Sequence, residues 1–68
     1  MTIWVNGQER QLSNSATVAD AVEATGAARD GRGIAVALDG EVVPRDRWQQ
    51  TALADGQHVE VVQAVQGG

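Results

Sequence analysis

The sequence predicts a two-layer α+β domain, a mixed sheet of four to five strands packed on one helix. Three observations carry that prediction. "TIWVN" is a β-rich run that leads through Asn6-Gly7 into a second extended stretch. Asn-Gly between two such runs is the strongest short hairpin signal, because both turn residues need positive φ. Val18, Ala21, Val22 and Thr25 fall at i, i+3, i+4 and i+7, which is one face of a helix. "HVEVVQAV" is the run richest in valine and suits the middle of a sheet.

Each element follows in chain order. "QERQL" is the return strand of the hairpin, and its polar side chains suit a sheet edge, where charge discourages unwanted pairing. The helix is expected near residues 16–25, capped by Ser15 or Thr17. Thr17 with Asp20 is close to a capping box, with Asp in place of the longer Glu. Gly26 stands where a left-handed C-terminal cap belongs. "AARDGRG" reads as a loop, and "IAVALD" then alternates bulky Ile34, Val36 and Leu38 with small Ala35 and Ala37. Asp39-Gly40 is a second tight turn, and "EVV" is a short strand stopped by Pro44, which cannot donate to a ladder. "PRDRWQQTAL" predicts a turn or a short 3₁₀ segment anchored by Trp48 and Leu53. Asp55-Gly56 is a third turn before the final strand. A helix that follows a hairpin must cross one face of the sheet to bury Val18 and Val22. With the last strand placed beside the first, the arrangement is the β-grasp, or ubiquitin-like, fold.

Sixty-eight residues make one domain at most. A chain this short has a thin margin of stability. It contains no Cys, which excludes disulfides, Cys-based metal sites and a thiol nucleophile, and its one His makes a zinc site improbable. The apolar share of 43% is ordinary for a globular domain. The net charge of −4 argues against nucleic acid as the main partner, since phosphate binding needs a basic face. All five cations are Arg, so no Lys is present to form a Schiff base or to accept a ubiquitin-like chain. "MTIWVNG" has no basic region and no apolar signal core, and the longest apolar run, "IAVAL", is far short of a membrane span. The expected location is the cytoplasm, with no membrane partner.

A catalytic centre is not expected. Ser13, Ser15, Thr17 and Thr51 have no plausible base but His58, and a triad needs nucleophile, base and orienter in contact. His58 reads as an exposed strand residue. Asp39 and Asp55 are explained by their turns. "GRG" lacks the Lys and the spacing of a phosphate loop.

The two faces of the sheet differ. If Ile3, Val5, Val59 and Val61 face the helix, then Trp4, Glu60, Val62 and Ala64 face outward, provided no bulge shifts the phase. Ala35 and Ala37 join them. An outward patch of Trp4, Ala35, Ala37, Val62 and Ala64 suggests a docking surface, with Trp4, Val62 and Ala64 as the expected contacts. Strands favour Trp and Val in any case, so the plainer reading stays open.

The chain ends in Gly67-Gly68. Glycine has no side chain, and a Gly-Gly end can thread a tunnel too narrow for any Cβ. Beyond Ala64, four residues reach at most about 14 Å. That is enough to carry the Gly68 carboxylate into another protein's active site from a flexible tail of about residues 66–68. A terminus that merely frays is the plainer alternative. A carboxylate becomes useful once it is activated, most simply as an acyl-adenylate made from ATP. A sulfur nucleophile can then displace AMP to leave a thiocarboxylate. That chemistry needs no Cys, Lys or His on the carrier.

Over nearly its whole length the sequence resembles the sulfur carrier proteins of thiamine biosynthesis, the ThiS family. The similar stretches are "MTIWVNG", "TVADAVEATG", "IAVALDGEVVPRDRW" and "LADGQHVEVVQAVQGG". The most specific are "DGEVVPRDRW" and the terminal Gly67-Gly68. The resemblance implies a β-grasp carrier that is not itself an enzyme and binds no cofactor of its own. A ubiquitin-activating-like partner would adenylate the C-terminal Gly with ATP, and a sulfur donor protein would supply the sulfur. Thiazole synthase would accept it. On this chain Gly68 would bear the sulfur and Gly67 would give it access. Pro44 and Trp48 would fix the excursion at 42–48, and Arg45 and Arg47 would be solvated or paired, or, on a minority reading, would dock a partner. A carrier of another pathway (molybdopterin or cysteine biosynthesis), a ubiquitin-like modifier and a plain binding module remain alternatives.

Overall fold

The computed structural model describes residues 1–27 and 32–63. Strand β1 (Thr2–Val5) turns at Asn6-Gly7 into β2 (Gln8–Gln11). Asn6 and Gly7 have φ of 52° and 79°, the positive values that a two-residue primed turn requires. Helix α1 (Val18–Ala24) follows, then β3 (Ile34–Leu38), β4 (Glu41–Val42), a 3₁₀ helix at Arg45–Gln50 and β5 (His58–Gln63).

The five strands form one sheet in the order β2-β1-β5-β3-β4. β1 and β5 run parallel, and the other pairings are antiparallel. The polar strand β2, exposed at every residue, lies at the edge, and the valine-rich β5 lies in the middle, both as the sequence predicts. The sequence-stretch expected as strand beyond Gln63, Ala64 and Val65, lies outside the described residues.

Helix α1 lays Val18, Ala21 and Val22 on the sheet, and these join Ile3, Val5, Ala16, Val36, Trp48, Leu53 and Val59 in one buried core. Ile3, Val18, Val36 and Val59 are the largest fully buried side chains. Each contributes about 1.5–3 kcal/mol of transfer free energy relative to exposure.

The helix is shorter than the 16–25 expected. Thr17 is its N-cap, and the Asp20 carboxylate accepts the Thr17 backbone N–H at 2.8 Å, which makes Asp20 the acidic member of the capping box. Tertiary pairing reinforces this local cap. Val18 N–H donates to the Thr51 carbonyl and Leu53 N–H to the Ala16 carbonyl, so this backbone is already paired with the segment after the 3₁₀ helix. At the other end Thr25 caps the helix, with its hydroxyl donating to the Val22 carbonyl at 2.6 Å. Gly26 follows with φ 78°. A Cβ on Gly26 would meet nothing within 4 Å, so a Gly26→Ala change is strained by its backbone alone. It is expected to cost about 1 kcal/mol. An unchanged urea midpoint would show that the helix end does not depend on the left-handed turn.

The segment 44–53 is the anchored 3₁₀ excursion that the sequence suggests. Pro44 caps it in an extended conformation. Trp48 and Leu53 are each 6% exposed, and Trp48 Nε1 donates to the Val43 carbonyl at 2.8 Å. Asp55 Oδ1 accepts the Thr2 N–H at 2.7 Å, so the third turn also fixes the start of β1.

Candidate functional site

Alternation along the strands sets the outer face. Ile3, Val5 and Val59 are buried on the helix side, with Val61 half-buried beside them. The phase runs unbroken through β5, so His58, Glu60 and Val62 point the other way. Trp4 pairs with His58 across the parallel ladder, and their rings stack with centroids 6.0 Å apart and planes 13° apart. Ala35 stands opposite Val62, and Ala37 opposite both Glu60 and Val42.

The face is therefore a stripe. Trp4 and His58 lie at one end, Val62 and Ala35 further along β5 and β3, and Val42 beyond Ala37. Val62 is 60% exposed and Val42 77% exposed, the two large apolar side chains most open to solvent among the described residues. A shallow depression of about 420 Å³ lies beside this stripe, lined by Trp4, Asn6, Gly7, His58, Glu60 and Val62, with Val59 beneath.

The structure thus brings together Trp4 and Val62 of the expected docking residues, at one face of the central strands. Ala64, Gly67 and Gly68 lie outside the described residues. Val42 was not in the expected patch. Its signal was nevertheless present, because the Asp39-Gly40 turn pairs Leu38 with Glu41 and Ala37 with Val42. A two-residue hairpin loop fixes that register, and the alternation then sends Val42 outward with Ala37.

Two turn residues do more than turn. Asp39 has φ 48°. Its Oδ1 accepts the His58 N–H at 3.0 Å and its Oδ2 accepts Gln57 Nε2 at 3.1 Å. The Asp39 carboxylate thus holds the first residue of β5. Asn6 holds the other end of that strand. Its Oδ1 accepts the Val61 N–H at 2.8 Å, and its Nδ2 donates to the Val61 carbonyl at 3.2 Å.

The hydroxyls weighed as nucleophiles are engaged locally. Ser13 and Ser15 bond each other, Thr17 bonds Asp20, and Thr51 donates to the Arg47 carbonyl. Among the described residues no group of three or more His, Cys, Asp or Glu is placed to hold a metal ion. No helix there is long and apolar enough to cross a membrane.

The β-grasp sheet, the helix packed on it and the length are matched by known proteins. The ThiS family profile matches residues 3–68. The chain belongs to the ThiS family. The sulfur carrier protein ThiS of Escherichia coli (strain K12) is 31% identical over 68 residues, covering 100% of both chains. A ThiS thiamine biosynthesis protein from Geobacter metallireducens, solved by crystallography, has a TM-score of 0.78 at 30% identity and covers 100% of both chains. A thiazole synthase of Paramagnetospirillum magneticum is 37% identical over 68 residues, which is all of this chain but 20% of that protein. Membership of ThiS places the chain in a family of small sulfur carriers of thiamine biosynthesis.

Proposed function

We propose that this protein carries sulfur as a thiocarboxylate on Gly68 and delivers it to thiazole synthase in the making of the thiamine thiazole. The observation that supports this most directly is that the family match runs to residue 68, through Gly67 and Gly68. The domain is the mount and the tail is the reagent. β5 is the central strand, hydrogen-bonded to β1 on one side and to β3 on the other, and the last five residues of the sequence follow it.

The chemistry proceeds in two displacements, both on partner enzymes and in the cytoplasm. A carboxylate oxygen of Gly68 attacks the α-phosphorus of ATP in a ubiquitin-activating-like enzyme, and pyrophosphate leaves. Hydrosulfide, the sulfur form handed over by the donor, then adds to the acyl carbon, and AMP departs with the carboxyl oxygen to leave the thiocarboxylate. Gly67 lets the tail pass through a channel that any Cβ would obstruct. The domain itself supplies no acid, base or cofactor. A thiazole synthase that contains a stretch similar to this whole chain supports that enzyme as the sulfur acceptor.

Docking falls to the outer face, through Trp4 and Val62; Ala64, the third contact expected from the sequence, lies outside the described residues. Val62→Asp places a charge on an exposed position, so the fold should persist. It is expected to weaken binding to the adenylating enzyme by about 2 kcal/mol, or roughly 30-fold in Kd. An unchanged Kd by titration calorimetry would remove Val62 from the interface.

The test of the function is an intact mass. The protein is incubated with ATP, a sulfur donor and its adenylating enzyme, and its mass should rise by the difference between sulfur and oxygen. No change under conditions that convert an established sulfur carrier would overturn the reading. A protein conjugate in place of the mass gain would point to a modifier.

A further inference from the structure

We infer that Asn6 is a positioning residue for the reactive end of the chain. Its side chain continues the β1–β5 ladder past the point where the β1 backbone turns away. The inference rests on the sulfur-carrier reading above.

The geometry is that of a missing rung. Trp4 N–H donates to the Gln57 carbonyl and Asn6 N–H to the Val59 carbonyl, both at 2.9 Å, in the regular spacing of a parallel pair. The next rung would take the Val61 N–H to the backbone carbonyl of residue 6. At φ 52° that backbone has already entered the hairpin turn. The Asn6 carboxamide stands in for it, with Oδ1 on the Val61 N–H and Nδ2 on the Val61 carbonyl. One side chain thus satisfies a donor and an acceptor that the end of β1 leaves open, on the side of β5 that faces away from β3.

That location matters for the tail. Val61 is paired with Val36 on its β3 side, and Ile34 pairs with Gln63. With Asn6 on the other side, β5 is held from both edges at Val61. The β3 pairing continues to Gln63, the last described residue, and five residues of sequence follow it up to Gly68. Without the clamp, β5 is held on its β1 side only as far as Val59, and residues 60–63 are held from the β3 side alone, so the end of the strand is free to splay away from β1. A carboxylate delivered from a looser mount samples more positions in the partner's channel, and a misplacement near 1 Å can cost about 100-fold in rate.

Asn is suited to both tasks, since it tolerates a left-handed conformation and carries one donor and one acceptor. Asn6→Gly separates them. Glycine adopts φ of 52° without strain, so the turn is kept and only the carboxamide is lost. The measurement is steady-state conversion of the carrier by its adenylating enzyme with ATP and sulfide, together with amide hydrogen exchange at Val59 and Val61.

The expected result is a kcat lowered by about tenfold or more, a KM within about twofold of wild type, and loss of protection at Val61 with Val59 still protected. A merely structural role gives a different pattern. The carrier is the substrate, so partial unfolding lowers its effective concentration and raises KM while leaving kcat in place. That pattern overturns the inference, as does a wild-type kcat with Val61 protection lost, or protection at Val61 that survives the substitution. Asn6→Asp keeps the acceptor for the Val61 N–H but sets a carboxylate against its carbonyl, and its kcat should fall with that of Asn6→Gly. Failure of the wild-type protein itself to convert overturns the carrier reading beneath.

Discussion

Deletion of Gly68 is expected to abolish sulfur loading while leaving the domain folded. The buried core of the described residues runs from Ile3 to Val59, and a terminal glycine has no side chain to contribute to it. Truncation moves the carboxylate back by one residue, about 3.5 Å along an extended chain. Acyl transfer between positioned groups does not tolerate that shift, since reacting atoms must meet within about 3–3.5 Å and an error of 1 Å already costs about 100-fold. Conversion by the adenylating enzyme should therefore fall by at least 100-fold, while the thermal midpoint and Val61 exchange stay at their wild-type values. A truncated protein that gains sulfur at the wild-type rate would move the reactive carboxylate away from Gly68.

Trp48→Ala is expected to have the largest effect on stability. Trp48 is 6% exposed and packs in the core with Val18, Val22 and Leu53. Truncating a buried aromatic to Ala costs about 3–5 kcal/mol, which is comparable to everything a core of this size rarely exceeds. The indole also donates to the Val43 carbonyl and so ties the exit of the β3–β4 hairpin to the 3₁₀ helix. The variant should be largely unfolded at room temperature by far-ultraviolet circular dichroism. Trp48→Phe keeps most of the buried area and loses the hydrogen bond, and should cost less, with about 1 kcal/mol from that bond. A Trp48→Ala protein with a wild-type urea midpoint would show that the 3₁₀ excursion is an appendage to the fold.

The two results are opposite in kind. One removes function with the fold intact, and the other removes the fold with the reactive end untouched. That division follows from the molecule's construction, a sheet with its core on one side and, on the function proposed above, a terminal carboxylate that works apart from that core.

Much of this was legible along the chain because it depends on neighbours in sequence. Asn6-Gly7 and Asp39-Gly40 adopt the positive φ values that their residue types favour. Val18, Ala21 and Val22 share a face because of helical periodicity alone, and Val59 and Val62 face opposite ways because strand periodicity is two. The outward setting of Trp4 and Val62 followed from the same rule. Val42 was equally accessible to it, once the Asp39-Gly40 turn had fixed the pairing of Ala37 with Val42.

What the sequence could not supply lies in contacts between distant positions. The Thr17–Asp20 capping box marks the start of α1 locally, but the backbone pairing of Ala16 and Val18 with Leu53 and Thr51 that reinforces it has no local signal. The side-chain roles of Asn6 and Asp39 are of the same kind. Each residue is fully accounted for by its turn, so no unexplained polarity marks it for a second task. Asn6 meets Val61 across 55 positions and Asp39 meets His58 across 19.

The sequence by itself determined the elements, the order of edge and centre in the sheet, the bare Gly-Gly end and the absence of Cys and Lys, because periodicity, turn chemistry and composition are properties of residues taken with their near neighbours. Only the tertiary structure decided where β5 is clamped, which segment pairs with the backbone before the helix, and that Trp4, Val62 and Val42 form one stripe. Those features exist only once strands far apart in the chain are in register, and hydrogen bonds between them have no local pattern to reveal them.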